Sequence, residues 1–241
     1  ESLDKLGGVS WGSRKEKLKK RIKFLAEELM AVAAKRQMSS AEIINVPEDF
    51  YEEFCSRFPF EETNDQFNAI HSVIDDLEKG QPMDRLICGD VGFGKTEVAL
   101  RASFLTAMSG KQVAILTPTT LLARQHYETF KNRFRGFPIN ISELSRLTSK
   151  KDEVIKKINS GSSDIVIGTH SLLGDKIEFN DLGLLIIDEE QHFGVKHKEK
   201  IKKLKSNIHI LTLTATPIPR TLQLAMTGVR DLSIIASPPV D

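Results

Sequence analysis

From Thr63 onward the chain alternates between two hydrophobic rhythms. Amphipathic segments (Thr63 to Lys79, the stretch up to Ala107, TLLARQHYETFKNRF and KDEVIKKIN) are interleaved with short apolar runs: RLICGD, QVAILT, INISEL, DIVIGT, LGLLIIDEE and HILTLTAT. The first rhythm predicts helices, and the second predicts strands buried on both faces. Strands of that kind joined through helices form a parallel sheet covered on both sides, an α/β fold. In such sheets ligands lie beyond the carboxyl ends of the strands, so the residues that close each run carry the chemistry.

The first part of the chain has a different pattern. Leu18, Ile22, Leu25, Leu29 and Val32 are spaced by four and three, which predicts one apolar stripe on a long helix. Ser13 and Glu16 have capping-box spacing at its start. Seven basic residues and one acid lie between Arg14 and Lys23, readable as a solvated face or as a face for DNA or a partner. A linker is expected from Ser39 to Pro47, followed by the aromatic segment DFYEEFCSRFPF. The domain expectation is thus an N-terminal linker and basic helix over 1–45 and one α/β lobe over 46–241.

Composition narrows this picture by exclusion. At 241 residues, with 40% hydrophobic and 28% charged residues, the chain is expected to be a soluble globular protein. The formal net charge of +1 means that contact with an acidic polymer would need oriented patches. Cys55 and Cys88 form no metal-binding spacing and no disulfide framework, which suits a reducing cytoplasm. No run is long enough to span a membrane, and ESLDKLGG is not a signal peptide. The start without Met and the end at SPPVD suggest a piece of a longer protein.

The chemistry concentrates at the strand ends. Gly89, Asp90, Val91, Gly92, Phe93, Gly94, Lys95, Thr96 and Glu97 contain the pattern G-x4-G-K-T, placed between a strand and a helix. Its glycines let backbone N–H groups face phosphate oxygens, and the positive end of the following helix adds to them. Lys95 is the candidate for the β/γ-phosphates and the Thr96 hydroxyl for Mg²⁺. Asp188 and Glu189 close the run LGLLIIDEE: Asp188 is a candidate metal carboxylate, and Glu189 a candidate for polarising an attacking water. A second acid of that kind fits an NTP hydrolase better than a kinase or other phosphotransferase. No Asn-Lys-x-Asp element for guanine occurs; SKKD at 149–152 is the nearest string. Upstream, Gln66 can read an adenine edge with Phe58 or Phe60 stacking on the ring, or Thr63-x-x-Gln66 can be a capping box.

In this order the motifs resemble the first, RecA-like motor lobe of superfamily 2 helicases, and within them the RecG-like translocases that couple transcription to repair. FPFEETNDQ resembles the adenine-reading motif, GDVGFGKTEVA motif I, TPTTLLARQHYETF motif Ia, IVIGTHSLL the next DNA-facing motif, LLIIDEEQHFGVKHKEKI motif II, and LTLTATPIPRTL motif III. His192 departs from the Arg expected before FGV. The resemblance implies ATP and Mg²⁺ as cofactors and Lys95, Asp188 and Glu189 as the catalytic set. It implies Thr119, Thr120, Arg124, Gly168, Thr169 and His170 as grips on DNA phosphates, each of which also has a plain cap or turn reading. Thr214, Ala215, Thr216 and Arg220 would couple the nucleotide and DNA sites.

The partners it implies are double-stranded DNA, a second motor lobe in cis, and, through other parts of the full protein, RNA polymerase and an excision-repair damage-recognition protein. A RecG-like branch-migration lobe and a non-catalytic docking fragment are the alternatives. KHKEKIKKLK after motif II reads either as a solvated helix or as a DNA patch. His170 and His192 lack the partner spacing of metal ligands.

Overall fold

The computed structural model describes residues 16, 30, 31, 33, 34, 36–45, 48–194, 197, 200, 201, 208–216 and 230–239. The expected N-terminal apolar stripe, Arg220 and most of KHKEKIKKLK lie outside these residues.

Five helices and seven strands form the lobe among the described residues. In chain order they are α1 (Glu48–Ser56), α2 (Asn64–Glu78), β1 (Asp84–Gly89), α3 (Lys95–Met108), β2 (Gln112–Leu116), α4 (Thr120–Arg133), β3 (Ile141–Leu144), α5 (Lys151–Asn159), β4 (Ile165–Gly168), β5 (Leu182–Asp188), β6 (His209–Thr214) and β7 (Asp231–Ile235). All strand pairs are parallel, in the order β3-β4-β2-β5-β6-β1-β7. β7 was not anticipated from the hydrophobic pattern. It lies at the sheet edge against β1, and only Ile235 of its five residues is buried.

The period of two along each strand sorts side chains into two cores. Val113, Ile115, Ile165, Ile167, Leu184 and Ile186 face one layer with Phe54, Phe104 and Phe130. Ala114, Leu116, Val166, Leu185 and Ile187 face the other, with Ile158, Leu172 and Phe193. In the first layer the Phe54 and Phe104 rings stack at 4.3 Å, which fastens α1 to α3.

The segment expected to be a linker instead forms a strap across the amino ends of the strands. Ile44 is buried in the first core, and its N–H donates to the Leu77 carbonyl at 3.1 Å. His209 Nδ1 accepts from the Met83 N–H at 3.2 Å, so its proton is on Nε2, 3.3 Å from the Glu42 carbonyl. Glu42 also pairs with Lys111. Among the described residues no helix is long and apolar enough to cross a membrane. Both cysteines are free thiols.

Candidate nucleotide and metal site

β1 ends at Gly89, and the chain turns through Asp90 to Phe93 before α3 begins at Lys95. Gly94 caps α3 with φ 82°, a left-handed conformation open to glycine, and a Cβ there would overlap Gln66 Nε2. The capping-box reading of Gln66 is realised. Its Oε1 accepts from the Thr63 N–H at 3.0 Å in a complete capping box, and its Nε2 donates to the Phe93 carbonyl at 3.0 Å. The side chain is 2% exposed and ties the start of α2 to the loop. Phe58 and Phe60 meet edge to face at 5.6 Å, with Phe60 exposed.

Lys95 folds back over the loop and donates to the carbonyls of Gly89 at 2.6 Å and Asp90 at 2.8 Å. Burial pushes its ammonium down from the ordinary lysine value, while the nearby Glu189, Asp188 and Asp90 carboxylates push it back up. β6 alone separates β5 from β1: Asp188 pairs with Leu213, and Thr214 pairs with Cys88, next to Gly89. Through Leu213, Asp188 is therefore level with Ile87 of β1, and Glu189 follows it toward the turn that begins after Gly89.

Each acid is held by its own partner. Glu189 has φ 53°, left-handed and uncommon for a residue with a side chain. Its Oε1 accepts from the Ala215 N–H at 2.8 Å, and its other oxygen meets Gln191 and, at 3.5 Å, the Thr214 hydroxyl. This places Thr214, Ala215 and Thr216 against the catalytic candidate, with Gln191 also reaching the Thr216 hydroxyl at 3.3 Å. Asp188 Oδ2 lies 2.9 Å from His126 Nε2 of α4. A carboxylate only accepts, so the imidazole donates this bond. His126 lies within the string that resembles motif Ia, but its contact with Asp188 is not legible in the sequence, because only the fold brings residues 126 and 188 together.

The residues suit Mg²⁺. Among the described residues, Asp188 Oδ1 has no hydrogen-bond partner. No cluster of three acids, histidines or cysteines forms a metal cage of its own among them. One carboxylate and the Thr96 hydroxyl are the donor set expected where the ion brings phosphate and water oxygens. The chemistry Mg²⁺ would supply there is neutralisation of phosphate charge.

Several expected site residues are placed differently. Glu97 does not face the loop. Two residues into α3 it points toward α4, where Oε1 accepts from Arg101 Nε at 2.9 Å and Arg133 Nη2 at 3.0 Å. Arg101 continues to Glu62. Thr169 is 3% exposed and its hydroxyl pairs with that of Ser171, so it is not a surface grip; the exposed residue of that turn is His170, stacked on His197 at 5.0 Å. Gly168 has the close approach that suits glycine, since a Cβ there would overlap the Leu144 carbonyl.

Thr119 caps α4, accepting from the Leu122 N–H at 3.2 Å, with Thr120 the first helical residue. Arg124 is exposed but pairs with Glu128 at 2.6 Å and Glu143 at 3.0 Å. Arg230 lies 2.8 Å from Asp84 and 3.3 Å from Glu190 and donates to Thr212.

Comparison with known proteins agrees with this geometry. The model of the DEAD/DEAH box helicase family matches residues 63–225. The transcription-repair-coupling factor of Bacillus subtilis (strain 168) is 54% identical over 98% of this chain and 20% of its own length. That of Escherichia coli (strain K12) is 51% identical over 98% of this chain and 21% of its own length. The chain thus spans about a fifth of these curated relatives. Among solved structures, RecG bound to a three-way DNA junction superposes with a TM-score of 0.73 at 33% identity, covering 88% of this chain and 30% of that one. The helicase domain of Pyrococcus furiosus Hef shares the fold, with a TM-score of 0.51 at 24% identity over 65% of this chain and 36% of that one.

Proposed function

The chain belongs to the DEAD/DEAH box helicase family, and from that premise we propose that it is the ATP-binding motor lobe of a double-stranded-DNA translocase. The observation that carries the reading is the convergence of Lys95, Asp188 and Glu189 at one end of the sheet, with Glu189 hydrogen-bonded to Ala215. In this reading the loop N–H groups and Lys95 bind the phosphates, Thr96 and Asp188 hold Mg²⁺, and Glu189 orients the attacking water. Gln66 meets the adenine with the amide hydrogen that its bond to Phe93 leaves over. The lobe itself is taken as 46–241, with the strap at its edge.

DNA phosphates are assigned to the exposed ends of β2 and β4, through Thr119, Thr120, Arg124 and His170. For Arg124 this requires exchange of Glu128 and Glu143 for phosphate. The likeness to transcription-repair-coupling factors supports a finer reading. As part of a longer protein the lobe would help displace stalled RNA polymerase and hand the site to excision repair. The RecG likeness supports branch migration as the second reading.

The arginines that complete such a site are assigned to a second lobe, because Arg230 is committed to Asp84 and Glu190. Such an arginine contributes about three to five decades in rate in GTPases. The test is equilibrium binding of a fluorescent ATP analogue, with ATP turnover measured with and without duplex DNA. The chain is expected to bind Mg·ATP weakly and hydrolyse it slowly, and Lys95→Ala to abolish binding with its circular dichroism unchanged. Unchanged affinity in that variant sinks the nucleotide reading; fast DNA-stimulated turnover by this chain alone sinks the second-lobe assignment.

A further inference from the structure

We propose that His126 is the positioning residue for the metal carboxylate, holding Asp188 in the orientation that leaves Oδ1 to Mg²⁺. This rests on the nucleotide-site reading above and deepens it. Lys95, Asp188 and Glu189 are close enough for their charges to interact, yet among the described residues Lys95 forms no ion pair with either acid. Instead each of the three is occupied by a partner outside the set. The Gly89 and Asp90 carbonyls take Lys95, the Ala215 N–H takes Glu189, and the His126 imidazole takes Asp188. The site is therefore kept from collapsing into internal salt bridges, and its charges remain available to a ligand.

Within that arrangement His126 has the most specific task. A carboxylate on a short side chain rotates freely unless one oxygen is fixed. Fixing Oδ2 determines where Oδ1 points. Both side chains are largely shielded, at 12% and 13% exposure, so the bond does not compete with bulk water. The imidazole is itself held, because its ring meets Phe130 edge to face at 6.4 Å and Phe130 is buried in the core. Without the His126 donor, Oδ1 of Asp188 loses its fixed direction toward the metal position. His126 also belongs to α4, the helix capped by Thr119, so whatever displaces α4 displaces the group that aims the metal carboxylate.

The experiment is a titration of MgCl₂ into the chain with a fluorescent ATP analogue, with a parallel measurement in EDTA. It is run on the unsubstituted chain, His126→Leu, which fills the space without a donor, and His126→Gln, which restores an N–H at similar reach. Thermal melting of all three establishes that they are folded. The expected result is that His126→Leu keeps its metal-free nucleotide affinity while the Mg²⁺ concentration for half-maximal enhancement rises about tenfold or more, and that His126→Gln recovers most of the loss.

If His126→Leu responds to Mg²⁺ as the unsubstituted chain does, the proposal is overturned and the nucleotide site stands. If affinity falls by the same factor with and without Mg²⁺, His126 serves packing alone and the proposal is likewise overturned. If the unsubstituted chain binds no nucleotide under any condition, the nucleotide-site reading fails and this inference falls with it.

Discussion

Gly94 shows how much of the site depends on single atoms. Alanine there would need a left-handed conformation that costs about 1–2 kcal/mol, and its Cβ would displace the Gln66 amide that bonds to Phe93. Gly94→Ala is expected to lower the melting temperature and to weaken ATP binding, measured by thermal denaturation and by equilibrium titration. The loop's pattern was legible from the sequence for the same reason: G-x4-G-K-T between a strand and a helix admits few residue types, and Gly89, Gly94, Lys95 and Thr96 fill it. Asp188 was legible because it follows an apolar strand. His126 and Glu97 were not, because what they do depends on partners 62 and 36 residues away. Nothing local distinguishes Glu97 in the loop's motif from a residue that serves the neighbouring helix.

Glu97 matters at the scale of elements. It joins α3 to α4 through Arg133 and holds Arg101 within α3, and Arg133 continues to the Phe54 carbonyl of α1 at 2.7 Å. All three charged side chains are at most 10% exposed. Glu97→Ala would leave the buried Arg133 without a carboxylate while Arg101 keeps Glu62, and removing one partner of a buried pair typically costs about 3–5 kcal/mol. Urea unfolding should report that loss, and a shift below about 1 kcal/mol would mean that Arg133 finds water instead. The alternation of helices and strands was readable because buried strands give uninterrupted apolar runs. β7 was missed because an edge strand needs little apolar surface: one buried residue in DLSII leaves no pattern. Its exit is fixed by polar contacts, with Asp65 Oδ2 accepting from the Ala236 and Ser237 N–H groups and the Ser237 hydroxyl. The hydroxyl bond is the main cause of the lowered Asp65 pKa.

For the whole molecule, acid sensitivity follows from the strap. Burial pushes the His209 pKa below its ordinary value, against weaker upward pulls from the Glu42 carbonyl and Asp76. The unfolded chain then binds more protons than the folded one just below pH about 6.5. The His209 contribution to stability is full above that pH and is lost as pH falls through the depressed folded value. A proton on Nδ1 also ends its bond from Met83. Melting temperatures across about pH 5 to 8 should fall on the acid side, and His209→Gln should flatten that slope. An identical slope in the variant would assign it to other groups.

The sheet order has a consequence for how the molecule comes into being. β3, β4, β2 and β5 adjoin one another and are encoded within residues 112–188, whereas β1 is flanked only by β6 and β7, paired at residues 210–214 and 231–235. During synthesis the amino-terminal part emerges first, and pairings between distant segments are the slow ones to form. The strand carrying the phosphate loop is thus among the first made and the last to acquire its neighbours. A nascent chain short of residue 209 holds every residue from Gly89 to Thr96 and lacks both strands that flank β1.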